Sequence, residues 1–181
     1  QFVEVPKAVL RDDPYPVRGM LITASSPAVT YPQQNLWHEV YKKLECLVVL
    51  DRFMTEDAKY ADVIFPATTL FENQSVVAIP GGIRMRNRLA EPVGEAKNDV
   101  FILQGIAERL GFGECYPKTD EELELWMVDG DVQKLNFLKE NEYGIVKQQQ
   151  LKYQKYKTGE LRQDGKPEFP TPSGKFEISS V

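Results

Sequence analysis

A short apolar run near residue 50 constrains the fold more than any other feature of the sequence. Residues 46–51 read CLVVLD, and no charged side chain precedes the terminal aspartate. A run of this length and apolarity predicts a strand that is buried on both faces, as strands of parallel sheets are. Because parallel strands are joined by crossover connections, the neighbouring segments are expected to supply helices that cover the sheet.

The segments on either side of this run have the pattern that a parallel sheet requires. VRGMLIT (residues 17–23) and DVIFPA (residues 62–67) predict strands before and after it. Between the first two strands, Leu36, Val40 and Leu44 recur every four residues and form one apolar stripe of a helix. This order predicts an α/β fold, specifically a three-layer Rossmann-like domain with a mainly parallel sheet.

The composition changes after Gly113, where Lys, Glu and Gln become frequent. EELELWMVDG and DVQKLNFLKENEYG predict two short helices in this part, and the residues after them show little apolar periodicity. We therefore assign residues 1–113 to the α/β domain and residues 114–181 to a helical or irregular appendage. A length of 181 residues is enough for one domain with such an appendage.

Charge and residue counts exclude several classes of partner and site. With 22 basic and 27 acidic residues the net charge is −5, which gives no basic surface for nucleic acid. The sequence has no run of eighteen apolar residues that would span a membrane. The single histidine, His38, excludes a multi-histidine metal site. Cys46 and Cys115 stand apart without zinc-site spacing, and we expect them to be buried thiols.

Polar residues follow the first predicted strand, at the edge where parallel sheets bind ligands. The turn ASSP (residues 24–27) contains Ser25 and Ser26, whose hydroxyls and backbone N–H groups are suited to a phosphate at a helix N-terminus. The alternative is that one of these serines caps the following helix. The G-x-G-x-x-G fingerprint is absent, so the turn alone does not decide between the two interpretations.

Further polar positions follow the same logic. Asp51 ends the second strand, 25 residues after Ser26, and either accepts hydrogen bonds from a ribose or initiates a turn. Asp99 begins a predicted helix, where its carboxylate either satisfies backbone N–H groups or accepts parallel hydrogen bonds from a guanine edge. For Glu72 and Asn73, after the third strand, the sequence likewise does not decide between a structural role and a role in ligand binding. The sequence offers no nucleophile with an adjacent base, so we assign no catalytic set.

The stretch LVVLDRFMTEDAKYADVIFPATTLFEN closely resembles a signature of the molybdopterin oxidoreductases, the dimethyl sulfoxide reductase family. Other blocks agree in the same order. ASSP lies where the family has G-x-N-P, EPVGEAKNDVFILQGIAERLG resembles P-x-G-E-A-x-x-D-W, and FPTPSGKFEISS resembles F-x-T-P-S-G-K-x-E. Such ordered agreement is more specific than any single motif. The residues that match the first signature are Thr55, Glu56, Ala58, Tyr60, Ala61, Asp62, Val63 and Pro66.

The resemblance implies a cofactor and the residues that contact it. Members of this family hold a molybdenum or tungsten ion with two molybdopterin guanine dinucleotides, and this chain resembles most of the third domain, which chiefly binds one of them. Asp51 would then serve the sugar of the nucleotide and Asp99 the guanine edge. The chain departs from the family pattern at Ser26, where Asn is usual, and at Asn73, where some members have Lys. By position, the implied contacts fall on Ser26, Leu50, Asp51, Asn73 and Asp99.

The resemblance also implies that the chain is a segment of a longer enzyme. The metal-ligating residue, and an iron–sulfur domain where a member has one, would lie upstream, and a barrel would follow. The implied partners are the remaining domains and an iron–sulfur electron-transfer subunit. The implied reaction is a two-electron oxygen-atom or sulfur transfer, with thiosulfate or polysulfide reductases as one candidate subfamily. The segment alone would be inactive, and Leu123, Leu125 and Trp126 would expose apolar surface.

An alternative interpretation is a free-standing α/β binding or interaction module without metal chemistry. The departures at Ser26 and Asn73 favour this alternative. A nucleotide-dependent dehydrogenase is disfavoured, because the glycine fingerprint is missing.

Overall fold

The computed structural model describes residues 4–141, 143–146 and 152–178. The chain folds into two compact units, Gln1–Ile145 and Val146–Val181. Among the described residues, no helix has both the length and the apolar character needed to cross a membrane. The predicted division into an α/β domain, residues 1–113, and a helical or irregular appendage, residues 114–181, stays a prediction.

The first unit is built on a parallel sheet in the order β1-β2-β3. The strands are β1 (Gly19–Thr23), β2 (Cys46–Asp51) and β3 (Val63–Pro66), and β2 pairs in parallel with both neighbours. The predicted α/β fold with a parallel sheet is therefore confirmed. β1 begins two residues later than predicted, because its pairing starts where the Arg18 carbonyl accepts the Glu45 N–H at 2.7 Å.

Helices α1 (Val5–Arg11), α2 (Pro27–Thr30) and α3 (Gln34–Lys43) cover one face of this sheet. The stripe predicted for α3 places Val40 in the core, where the side chain is fully buried. Aromatic rings complete this layer, with the Trp37 ring edge-on to Tyr31 at 5.5 Å between centroids. The core residues are Val9, Ile22, Ala28, Trp37, Val40, Tyr41, Leu47, Val49 and Ala58.

The opposite face of the sheet is only partly covered. Helix α4 (Asp99–Arg109) lies beside Phe65 of β3, the register partner of Leu50, and Leu50 is only 2% exposed. The row two residues earlier along the strands consists of Leu21, Val48 and Val63. In that row, Leu21 is 40% exposed and Val63 is 41% exposed. Alternation of side chains thus gives β2 one fully covered face and one half-covered face.

A hairpin forms the basis of a second sheet, in the segment where the sequence predicted loops and a short extended pair. Strands β4 (Ser75–Ile79) and β5 (Gly82–Arg86) pair antiparallel, and β6 (Ile145–Val146) follows β5 in the sheet order. The predicted helices α5 (Asp120–Met127) and α6 (Val132–Glu140) pack on this hairpin. Their shared core consists of Val76, Val128, Leu135 and Leu138.

The packing of α5 on β4 corrects one expectation about exposed apolar groups. Leu123 is fully buried and Leu125 is half-buried, because this side of α5 meets the hairpin, whereas Trp126 is exposed as expected. The neighbouring Glu124 is also fully buried. Its carboxylate accepts a hydrogen bond from Gln74 and forms an ion pair with Lys139, both at 2.7 Å.

The second unit contains α7 (Lys155–Thr158) and an aromatic cluster. The ring of Phe169 stacks on Tyr156 at 4.8 Å and meets Phe176 edge-on at 5.7 Å. Arg162 donates hydrogen bonds to both carboxylate oxygens of Asp164, at 2.8 and 2.7 Å. Part of the segment predicted to lack regular structure, residues 147–151, lies outside the described residues.

The expectation that the two cysteines are buried is wrong. Cys46 and Cys115 are both exposed free thiols. Cys46 is the first residue of β2, and Cys115 lies in a short turn of 3-10 helix, Gly113–Cys115.

Two valines of the parallel sheet test the difference in burial between the central strand β2 and the outer strand β3. Val49 is 1% exposed and Val63 is 41% exposed, so we expect Val49→Ala to lower the free energy of unfolding by about 2 kcal/mol and Val63→Ala by less than about 1 kcal/mol. Both substitutions remove the same two methyl groups from a strand, so the two losses can be compared directly. Urea unfolding followed by circular dichroism measures both. Equal losses would contradict the coverage described here.

Candidate functional site

The carboxyl ends of the parallel strands converge on one edge of the sheet, and most of the candidate residues lie there. Directly after β3, Ala67 forms an isolated parallel bridge with Lys97, which precedes α4. The Thr68 N–H donates to the Lys97 carbonyl at 3.0 Å, and the Ala67 N–H donates to the Asp51 carbonyl at 3.1 Å. These hydrogen bonds bring the start of α4 to the same edge as the end of β2.

At the end of β1, the Ser26 hydroxyl is held by a buried carboxylate. Ser26 occupies the N-cap position of α2, but its side chain makes no capping hydrogen bond. It donates instead to Asp57 Oδ2, while Asp57 Oδ1 accepts the Ala28 N–H at 3.0 Å. Asp57 therefore caps α2 from a distant part of the sequence. The Ser26 hydroxyl proton and the Ala28 N–H, which could otherwise bind a phosphate, are therefore already engaged by Asp57. What Ser26 still offers a ligand is the lone pairs of its hydroxyl oxygen.

Asp57 is a site-forming residue that sequence reasoning missed. It is completely buried, and Oδ1 also accepts a hydrogen bond from the Tyr41 hydroxyl. Burial, together with this hydrogen bond, raises the pKa of Tyr41 above its ordinary range. The turn that Asp57 supports begins at Ala24, whose φ of 50° is left-handed and favours glycine. The only local signal was an acidic residue before a short helical turn.

At the end of β2, the two oxygens of Asp51 have different surroundings. Oδ1 accepts the backbone N–H groups of Arg52 at 2.7 Å and Phe53 at 3.1 Å, which is the turn-initiating role. Within the described part of the chain, Oδ2 accepts no hydrogen bond. The turn interpretation is thus correct for one oxygen, and the second oxygen stays available to a hydroxyl donor.

At the start of α4, the capping role belongs to Asn98 and not to Asp99. The Asn98 side chain accepts the Val100 N–H at 3.0 Å. The Asp99 carboxylate is half-buried, and no donor among the described residues reaches it. Burial raises the pKa of Asp99 above its usual value; nearby Arg52 opposes this rise, and Asp51 adds to it. The charges of Asp99, Arg52 and Asp51 therefore interact at this edge.

After β3, Glu72 has a structural role and Asn73 is partly free. The Glu72 carboxylate accepts the Thr69 N–H at 2.6 Å and the Val93 N–H at 3.0 Å, which lowers its pKa. These bonds fasten the loop after β3 to the loop before α4. The Asn73 carbonyl oxygen accepts from the Thr68 hydroxyl, which leaves the amide NH₂ as the available group.

Leu50 lies among the predicted contacts, but its side chain is buried in the sheet. Any contact with a ligand would come from its backbone. Asp51 and Asp99 are brought together, and Asn73 follows the adjacent strand. This edge of the sheet thus presents carboxylate oxygens of Asp51 and Asp99 that accept no hydrogen bond from the described residues. Such acceptors suit a ligand that carries N–H and O–H donors.

Several residues of the sequence signature prove to be structural. Asp62 accepts the Leu47 N–H at 2.7 Å and so fixes the start of β2. Tyr60 stacks on His38 at 5.2 Å, and the Thr55 hydroxyl accepts the Ala58 N–H at 3.3 Å. The described residues contain no group of three or more His, Cys, Asp or Glu side chains that could hold a metal ion.

Comparison with known proteins identifies a family. The family model described as molybdopterin oxidoreductase matches residues 10–109. Among curated proteins, the chain is 30% identical over 170 residues to the probable oxidoreductase YyaE of Bacillus subtilis, covering 91% of this chain and 24% of that protein. It is 31% identical over 157 residues to the assimilatory nitrate reductase catalytic subunit of the same organism, covering 86% and 20%.

Two further similarities extend this result. The chain is 28% identical over 129 residues to the thiosulfate reductase molybdopterin-containing subunit PhsA of Salmonella typhimurium, covering 68% of this chain and 17% of that protein. Among solved structures, acetylene hydratase from Pelobacter acetylenicus has a TM-score of 0.68 at 22% identity, covering 96% of this chain and 23% of that chain. This structural likeness supports the fold. The chain spans about a quarter or less of the length of these relatives.

The buried carboxylate that supports the first turn gives a direct prediction. Asp57→Ala leaves the Ser26 hydroxyl, the Ala28 N–H and the Tyr41 hydroxyl without their acceptor, so we expect a loss of about 3 kcal/mol in the free energy of unfolding. Glu39→Ala, at an exposed position of α3, is the matched control and should change stability by less than about 0.5 kcal/mol. Denaturant titration at pH 7 measures both variants, and a loss for Asp57→Ala no larger than the control would refute the role of Asp57.

Proposed function

Because the chain belongs to the molybdopterin oxidoreductase family, we propose that the carboxyl edge of its parallel sheet binds one molybdopterin guanine dinucleotide. Membership implies a molybdopterin cofactor with molybdenum or tungsten. Our proposal goes further than membership, because it specifies the guanine dinucleotide form of this cofactor. The observation that carries it is the half-buried Asp99 carboxylate, which has no donor among the described residues.

The Asp99 carboxylate fits the guanine edge chemically. Guanine presents two parallel donors, N1–H and the exocyclic amine, and a carboxylate offers two parallel acceptors. Adenine presents a donor and an acceptor at the equivalent edge, so it lacks this match. Because Asn98 already caps α4, binding of guanine by Asp99 does not cost the helix its cap. Partial burial strengthens the hydrogen bonds by excluding water.

The remaining contacts are proposed from the groups that stay available. The second oxygen of Asp51 accepts from a ribose hydroxyl while the first holds its turn. The Asn73 NH₂ and the Ser26 hydroxyl lone pairs would be available to polar atoms of the cofactor, and Leu50 would contribute through its backbone. Residues 1–113 form the cofactor-binding domain in this proposal, and residues 114–181 lead toward the rest of the enzyme.

The activity of the whole protein is also a proposal, since the chain spans about a quarter or less of its relatives. When bound, the cofactor supplies two-electron chemistry at its metal, with oxygen-atom or sulfur transfer as the reaction class. This chain binds and orients one dinucleotide, and it does not catalyse the reaction without the rest of the enzyme. Relatives named as nitrate and thiosulfate reductases have similar identity to the chain, so similarity favours neither substrate. The other domains and an iron–sulfur subunit are the proposed partners.

Base selectivity tests the role of Asp99. We expect GDP to shift the backbone amide resonances of residues 98–100 in NMR spectra and to bind about ten-fold more tightly than ADP. Asp99→Asn should abolish the preference for GDP over ADP. The variant should also bind xanthosine diphosphate more tightly than GDP. The reason is that xanthine presents a donor and an acceptor, which match the carbonyl and NH₂ of asparagine.

The matched control is Asp129→Asn, which removes the same charge on an exposed residue at a left-handed backbone position that asparagine tolerates. It should retain the preference for GDP. Equal binding of GDP and ADP by the unaltered chain, or a GDP preference that survives Asp99→Asn, would refute the assignment.

A further inference from the structure

A cleft of about 320 Å³ lies between β3 and α4. Its walls are mostly apolar and include Phe65 from the sheet and Phe101, Ile102 and Ile106 from the helix. A volume of this size falls at the lower end of the range for small-molecule sites. None of the residues proposed above to contact the dinucleotide lines this cleft.

Two cations, Lys97 and Arg109, also line this cleft. Neither forms an ion pair with a carboxylate of the described residues, although the chain as a whole carries a net charge of −5. Arg109 donates one hydrogen bond to the Gly105 carbonyl at 2.8 Å, and its guanidinium has further N–H groups. An apolar cleft with two uncompensated positive charges is complementary to an apolar body that bears a negative charge.

The space in the cleft depends on a glycine in the middle of α4. Gly105 lines the cleft at a helical position, where glycine costs about 1 kcal/mol relative to alanine. A Cβ atom at this position would meet only Arg109 Nη1, at 3.6 Å, which is ordinary van der Waals contact. A larger side chain can therefore be accommodated by the helix but would occupy the cleft. This gives a way to fill the site without breaking the fold.

We propose that the cleft between β3 and α4 binds a small apolar carboxylate, with the aromatic or aliphatic body against Phe65 and Phe101 and the carboxylate against Lys97 and Arg109. Arg109 is suited to this role because guanidinium pairs with carboxylate in a planar, bidentate geometry. Such a ligand carries one negative charge and an apolar body that matches the walls of the cleft. It therefore differs from a nucleotide. The proposal does not depend on the dinucleotide site, because it uses a different set of residues.

The test uses 3-phenylpropanoate and its uncharged analogue 3-phenylpropanamide as probes, with isothermal titration calorimetry on the 181-residue chain. We expect the carboxylate to bind about ten-fold more tightly than the amide at low salt, because charge-assisted hydrogen bonds are lost in the amide. The double variant Lys97→Gln, Arg109→Gln should bring the two affinities within about two-fold of each other. The double variant Arg11→Gln, Lys42→Gln, at exposed positions of α1 and α3, is the charge-matched control and should keep the difference.

Gly105→Leu separates occupancy of the cleft from unfolding. We expect this variant to retain the circular dichroism spectrum, because leucine favours a helix more than glycine does, and to bind neither probe. Equal affinity for the two probes, or binding that Gly105→Leu leaves unchanged, would overturn the proposal. Absence of binding by the unaltered chain at millimolar probe would overturn it as well.

Discussion

The parallel pairing of β2 with a strand on each side is the constraint on which the rest of the structure depends. Parallel strands end at the same edge, so the pairing delivers the residues after β1, β2 and β3 to one place. The bridge between Ala67 and Lys97 extends this arrangement and brings the start of α4 alongside. The candidate site is thus a consequence of strand direction, and its residues can be far apart in sequence because the sheet brings their backbones together.

The polar residues of this edge divide into two groups. Asp57, Glu72 and Asn98 are engaged by backbone N–H groups and hold the turns and the start of α4 in place. Asp51 and Asp99 keep acceptor atoms that the described protein does not use. A buried acceptor normally finds a partner because an unpaired one costs free energy. At the half-buried Asp99, burial disfavours the charged form and so raises the pKa of the carboxyl.

The two faces of the parallel sheet contribute differently to the molecule. The face under α1, α2 and α3 carries a continuous apolar core, and it supplies the stability of the sheet. The other face is bordered by α4, whose central glycine leaves a cleft instead of close packing. Close packing on one face therefore allows the opposite face to carry a cavity lined by Lys97 and Arg109.

The sequence by itself determined the parallel sheet, the family and most of the helices, because these depend on local periodicity and on ordered motifs. The apolar run at residues 46–51 predicted a buried strand, and the stripe of α3 followed from apolar residues four apart. Only the tertiary structure decided which carboxylates stay available, since Asp57 reaches Ser26 across 31 residues. It also decided that Leu123 is buried and Cys46 exposed, because burial depends on what packs against a residue and not on the residue type alone.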